Sequence, residues 1–375
     1  PKRAARPSGR ITLSWTRSGT PARASAGSDT NTLPSASAAT RMLRSRTASA
    51  ATPPPWRRTA VSMALRTACS STAAAAELSS PGARGPTARP EPLRPRSIRR
   101  RRFGRGTYEQ VRFDHDPTLP ASLAVEGFSG PATAVVHVCR QGDARRPWLV
   151  WVHGAGQGQP IDLLFARARR IQQQLGFNVA LPVQPGSGIR RSAWPEYPTM
   201  DPLANVAGMM RTVSEVRAVV RWLRQDADAV VVAGVSMGSP VAGLVSHLEP
   251  VDAVAVYTPL FGLNPMIAAH LGRWGPSVTD TVDLLRCGVV EKLAAAVDYH
   301  AVEPTAPPDR RLIVGAWHDQ MARRDPAQQL HEKWGGRLHW HHGSHVGHLF
   351  AGGVHYASER FLRSVTPSSG TGPKM

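Results

Sequence analysis

Residues 229 to 244 constrain what this chain can fold into more than any other stretch. Ala229-Val230-Val231-Val232-Ala233 is an uninterrupted run of small and β-branched residues, and it empties into Gly234-Val235-Ser236-Met237-Gly238. A strand buried on both faces of a parallel sheet calls for such a run. A serine exposed on a sharp turn between strand and helix calls for glycine on either side, so that the backbones can approach closely. Ser239-Pro240 then opens a helix, proline being tolerated in its first turn, and Val241, Leu244 and Val245 supply an apolar stripe. Residues 229 to 246 carry no charge and are long enough to be weighed as a membrane span. Against that, Gly234, Ser236, Gly238, Ser239 and Pro240 crowd the middle, where a spanning helix needs continuous helix propensity. Strand, turn and helix is the arrangement these residues favour.

The flanking chain supplies more units of the same kind. Trp148-Leu149-Val150-Trp151-Val152 is a second apolar run, ending in His153-Gly154-Ala155-Gly156. Ile161, Leu164, Phe165, Ala168, Ile171 and Leu175 follow at helical spacing, with Gly176 as the stop. The run from Phe177 to Leu181 leads into Pro185-Gly186-Ser187-Gly188 and a long loop with Trp194 and Tyr197. Val206, Met209, Met210, Val213, Val216, Val220 and Leu223 then mark one face of a helix. Strands are expected at 251–256, 311–315 and 337–341, and helices at 326–334 and 354–363. Short strands at 111–113, 122–125 and 133–138 form an antiparallel beginning. Residues 258 to 306 read as helical fragments broken by proline and glycine. Alternating strands and helices predict a mostly parallel sheet with helices on both faces. About 260 residues suffice for one core, burying on the order of 70% of the unfolded surface.

Charge separates this region from what precedes it. The chain of 375 residues has a net charge of +20, and residues 1 to 106 hold 20 Arg and 1 Lys against Asp29, Glu77 and Glu91. The remainder is almost balanced, with 25 basic and 23 acidic residues. The first segment is rich in Ala, Arg, Ser, Thr and Pro, without apolar periodicity, so it cannot offset the entropy of ordering and is expected to be disordered through residue 106. It lacks the aromatic interleaving of a nucleic-acid module, and its arginine excess is what GC-rich codons would give, so no specific nucleic-acid partner is expected. Because the chain opens on Pro1, part of this segment is expected to lie outside the natural start. The Arg99-Arg100-Arg101-Arg102-Phe103 run is followed by polar residues where an export signal needs an apolar region. Cys69, Cys139 and Cys287 are too few and too scattered for a disulfide framework, which fits a reducing, cytoplasmic setting.

Four features from 107 to 366 resemble the α/β-hydrolase superfamily, in its serine-hydrolase branch of esterases, lipases and thioesterases. They are the His153-Gly154 turn after the strand at 148, the Gly186-Ser187-Gly188 turn after the strand at 177, the serine turn itself, and an acid followed by a histidine near the C-terminus. The order Ser, Asp, His is that of the family. The resemblance implies an α/β-hydrolase fold over 107–366, a lid-like insertion at about 258–306 and a flexible tail at 367–375. It also implies hydrolysis of an ester or thioester through an acyl-serine. Acyl transfer with the same triad and a non-catalytic binding protein of this fold are the alternatives.

A serine hydroxyl is a weak nucleophile at neutral pH. It needs a base within hydrogen-bond reach, and that base needs an acid to fix its tautomer. Ser236 is the candidate nucleophile. Asp319 is the candidate acid, placed just past the strand Leu312-Ile313-Val314, with Asp319-Gln320-Met321-Ala322 resembling the family's D-x-x-V. Asp325 is the alternative, although Asp325-Pro326 reads as a helix cap. For the base, Gly343-Ser344-His345-Val346 matches the family's turn and selects His345, with His348 as the alternative. The oxyanion hole falls to the backbone amides of Met237 and of Ala155 or Gly156. His153 is expected to anchor its loop. The histidine-rich stretch 341–348 lacks H-E-x-x-H and has few carboxylates nearby, so no metal and no cofactor are expected. Leu260, Phe261, Leu263, Met266, Ile267 and Leu271 in the insertion, and Trp194 and Tyr197 before it, either wall the site for a hydrophobic acyl substrate, a small molecule, or pack the insertion onto the core.

Overall fold

The computed structural model describes residues 89–366 apart from 105, 143, 144, 274, 276 and 277, together with Ala74. The sequence expectations for the other residues up to 88 and for the tail at 367–375 fall outside these. Among the described residues nine strands form one sheet: β1 (Ser97–Phe103), β2 (Gly106–His115), β3 (Ala132–Cys139), β4 (Arg146–Val152), β5 (Asn178–Val183), β6 (Ala227–Val235), β7 (Ala253–Tyr257), β8 (Arg311–Ala316) and β9 (Arg337–His341). Their order is β1-β2-β3-β5-β4-β6-β7-β8-β9. The first four in that order pair antiparallel, and from β5 through β9 every pairing is parallel.

Apolar runs of period one explain the central strands. β6 sends Val230 and Val232 to one face and Ala229, Val231, Ala233 and Val235 to the other, and both faces are covered. On the first face lie α2 (Pro202–Leu223), α3 (Gly238–Leu248), α6 (Gly288–Ala295) and α7 (Arg324–Trp334). On the second lie α1 (Ala168–Leu175) and α8 (Gly352–Val365). α2 begins as its sequence dictates: Asp201 accepts from the amides of Leu203 and Ala204, and Pro202 occupies the first turn, where no amide is needed.

Four expectations need correction. The sheet opens at Ser97, not after residue 106, because Arg99 to Arg102 are compatible with an edge strand whose side chains reach solvent. Residues 122–125 lie in helical turns, Ala121–Leu123 and Ala124–Phe128, instead of a strand. The helix expected from 161 is broken into Asp162–Phe165 and α1 by Arg167, whose φ of 53° no regular helix accepts. Asp325 does not cap α7. The cap is Arg323, and Asp325 sits exposed in the first turn.

Between β7 and β8 the chain forms α4 (Leu263–Leu271), α5 (Thr279–Leu285) and α6. Ala268, Leu271, Val282 and Leu285 make a small apolar cluster of their own. The insertion is tied to α2 by Asn205, whose amide donates to Asn264.

Candidate active site

The turn after β6 is fixed by close backbone approach. A Cβ at Gly234 would overlap the Gly238 carbonyl, and one at Gly238 would overlap the Val152 carbonyl, so both positions require glycine. Between them Ser236 has a φ of 52°, a conformation that costs a residue with a side chain of order 1–3 kcal/mol and is held only when its surroundings over-determine it. Those surroundings are specific. The Ser236 amide donates to the Tyr257 carbonyl at 2.9 Å, carrying the β6–β7 ladder one residue into the turn. Ser239 donates its amide to the Ser236 carbonyl and its hydroxyl to the carbonyls of Gly234 and Tyr257.

The loops after β8 and β9 are held together in the same way. Beyond the last strand pair, Ala316 with His341, the amide of Trp317 donates to the His341 carbonyl and that of His318 to the Gly343 carbonyl. This extension sets Asp319 beside His345. Asp319 Oδ2 lies 2.7 Å from His345 Nδ1, and its Oδ1 accepts from the amides of Met321 and Ala322, each at 2.8 Å. His345 Nε2 lies 2.8 Å from Ser236 Oγ. A carboxylate only accepts, so Nδ1 carries the proton and Nε2 is left to accept from the serine hydroxyl. Asp319 is buried, whereas Ser236 and His345 are half-buried.

His348 does not join this chain of contacts. Its Nδ1 donates to the His345 carbonyl at 2.7 Å, and burial, with smaller effects from His345 and His341, pushes its imidazole down to about 4. It stays neutral and braces the loop carrying His345.

His153 is the anchor expected of it. The Gln184 amide donates to its Nε2 at 3.1 Å, so Nδ1 bears the hydrogen and donates to the Gly154 carbonyl at 2.8 Å. Full burial holds this ring down to about 4, neutral as the two bonds require. Gln184 also donates its side-chain amide to the His153 carbonyl, and Gln157 accepts from the Gly154 amide at 2.7 Å. Gln157 and Gln184 escaped the sequence reading, because nothing in a glutamine's neighbours reveals that it will close a loop. The built loop presses Gly154 against Ser236, leaving only 3.4 Å from a Cβ there to the serine Cβ. Ala155 and Gly156 are exposed at the loop's tip, and Met237 is buried at the start of α3.

Trp194 and Tyr197 do not wall the site. Tyr197 is buried against Gly208 of α2, and Trp194 stacks on Phe128 beneath the guanidiniums of Arg190 and Arg211. From the insertion, Leu260, Leu263 and Leu271 are buried, while Phe261 is exposed beside the end of β7.

A parallel sheet with an antiparallel start, a strained serine on the turn after its central strand, and an acid and histidine on the loops after its last two strands are the features of the α/β-hydrolase fold, and this chain has that fold. Acetyl xylan esterase 1 from Thermoanaerobacterium sp. JW/SL YS485 superimposes with a TM-score of 0.51 at 14% identity, over 76% of this chain and 97% of that one. The acetyl xylan esterase from Paenibacillus sp. R4 gives 0.50 at 15% identity, over 73% and 89%. In sequence the chain is similar to two uncharacterised proteins of Mycobacterium tuberculosis, from strains CDC 1551 / Oshkosh and H37Rv. Each is 29% identical over 235 residues, or 60% of this chain and 55% of the relative, so the match spans about half the relatives' length. No protein-family model matches the sequence. Among the described residues no helix is long and apolar enough to cross a membrane, and no group of three or more His, Cys, Asp or Glu could hold a metal ion.

Proposed function

We propose that this protein is a serine hydrolase that cleaves an ester or thioester through an acyl-serine intermediate. One observation carries the reading: the unbroken relay from Asp319 Oδ2 to His345 Nδ1 at 2.7 Å and from His345 Nε2 to Ser236 Oγ at 2.8 Å. In the first half-reaction the Ser236 oxygen attacks the carbonyl carbon while its proton passes to His345 Nε2. Asp319 stabilises the imidazolium so formed without taking its proton. The oxyanion is met by the amide of Met237 and by that of Ala155 or Gly156, donors typically worth ~2.7 to 4 kcal/mol each. Collapse of the tetrahedral intermediate expels the alcohol or thiol, which leaves with the proton from His345. Water then repeats the sequence on the acyl-serine and releases the acid.

The insertion with Phe261 serves in this scheme as a lid over a hydrophobic acyl group. The free thiols Cys139 and Cys287 agree with action in a reducing cytoplasm. The test is a fluorophosphonate probe on folded protein, with an ester and thioester panel. Labelling at Ser236 and turnover lost in Ser236→Ala are expected. Folded protein that neither labels nor turns over any of the panel would make this a binding protein instead.

A further inference from the structure

The outermost strand of the sheet presents Arg99, Arg100, Arg101 and Arg102 in succession, all four exposed. Among the described residues none of them makes a side-chain hydrogen bond or ion pair, while nearby Arg96 and Arg140 are matched with Asp114 and Glu109. β1 pairs on one side only, with β2, and β3 joins β2 only from Glu109 onward. Arg101 and Arg102, opposite Tyr108 and Thr107, therefore lie on a two-stranded end of the sheet that runs past the third strand, while Arg99 and Arg100 continue the same edge abreast of it. Successive side chains of a strand point to opposite faces at a rise of about 3.3 Å, so Arg99 and Arg101 share one face and Arg100 and Arg102 the other, each pair about 7 Å apart.

Cations that close repel one another within a Debye length, and the carboxylate across from Arg100, that of Glu109, is already paired with Arg140 at 3.8 Å. A polyanion would relieve that repulsion, and the two-faced arrangement selects among polyanions. An anionic bilayer presents its charge on one side and would leave half of the arginines turned away. The major groove of duplex DNA is wide enough for a two-stranded β-ribbon and is walled by phosphates on both sides. We propose that the β1–β2 ribbon is a sequence-independent binding surface for duplex DNA, entering the major groove with its two arginine faces toward the two phosphate walls. Such contacts position the protein without reading bases. The proposal is independent of the chemistry at Ser236.

The measurement is fluorescence anisotropy of the full chain with a labelled duplex over a range of salt. If four phosphates are neutralised by the ribbon, replacing all four arginines by glutamine lowers the magnitude of the log–log salt slope by about 3.6 and weakens binding at least ~10-fold. Binding by the wild type is expected to be indifferent to duplex sequence, and fluorophosphonate labelling at Ser236 is expected to be unchanged in the variant. A charged edge also deters pairing with other chains, which alone would justify arginine here. The variant Arg100→Glu with Arg102→Glu separates the two roles, because it keeps the edge charged yet repels phosphate. Loss of duplex binding by this monodisperse variant supports the proposal. Unchanged affinity and salt slope in both variants overturns it, as does wild-type preference for phosphatidylglycerol vesicles over duplex at equal phosphate concentration.

Discussion

Ser236, His345 and Asp319 form one three-membered polar cluster, and Arg190, Glu215 and Arg211 form another beneath the loop that follows β5. Both are bound by short contacts. Arg190 makes two hydrogen bonds to Glu215 at 2.6 and 2.9 Å, and Arg211 makes a third at 2.8 Å. The difference lies in solvent and valence. The second cluster is sealed, with side-chain exposures of 3%, 5% and 0%, and its donors are also spent on carbonyls: Val183 for Arg190, and Phe128, Gly130 and His115 for Arg211. The first is half-open and ends on a hydroxyl that can leave its partner. A sealed cluster whose charges are matched can only hold structure, whereas one with a half-open, exchangeable end can do chemistry.

The comparison breaks most directly at Ser236. Replacing it by alanine should cost at least ~10³-fold in turnover on whichever ester is hydrolysed, with little change in melting temperature, since alanine bears the same backbone strain as serine and only a half-buried hydroxyl is lost. Asp319→Asn should cost about 10⁴-fold by admitting the wrong tautomer at His345, and steady-state kinetics on the same ester would register it.

In the sealed cluster the expected readout reverses. Glu215→Gln leaves two buried guanidiniums without a countercharge and should cost about 3–5 kcal/mol in chemical denaturation. Burial alone would raise the Glu215 carboxyl, but Arg190 and Arg211 outweigh it and hold it below the ordinary carboxylate value. A depressed carboxylate contributes stability that is present above its unfolded value and lost as pH falls through the folded one. Wild type should therefore weaken on acidification below about pH 4.5, and Glu215→Gln should flatten that part of the curve.

An acid effect that begins at higher pH should come from the neutral rings. His137, His153 and His348 are each held by burial at about 4 against an ordinary 6.5, so the unfolded chain binds more protons between those values. Stability from these rings is complete above about pH 6.5 and declines from there toward pH 4. The smallest change is His348→Ala, which removes one brace from the His345 carbonyl. A loss of about 1 kcal/mol in denaturation is expected, with activity reduced far less than in Asp319→Asn.

Much of the site could be read from residue types because its local chemistry is local in sequence. Gly234 and Gly238 announce the turn, the apolar run before them announces the buried strand, and Gly343-Ser344-His345 announces a loop after the last strand. What escaped reading depended on distant partners. Arg211 and Glu215 look like solvated charges on a helix, yet α2 buries both, because Arg190 arrives from 21 residues upstream of Arg211 to complete the cluster. Gln157 and Gln184 gave no warning that they would close the loop around His153. The arginine run at 99–102 looked like part of a disordered tail, because an edge strand can carry side chains of any polarity once its backbone finds a partner such as β2.

The sequence determined the periodicities, and with them the parallel sheet, the turn at Ser236 and the short menu of acids and bases. Backbone sterics and apolar spacing act between near neighbours, so they are written in order along the chain. Only the tertiary structure shows which groups meet: His345 reaches Ser236 and Asp319, while His348 turns to the His345 carbonyl and Asp325 stays exposed. Hydrogen-bond reach of about 3 Å is set by how the loops after β6, β8 and β9 meet, and that meeting depends on amide-to-carbonyl bonds such as Ser236 to Tyr257, Thr258 to Val314 and Trp317 to His341, which join separate elements.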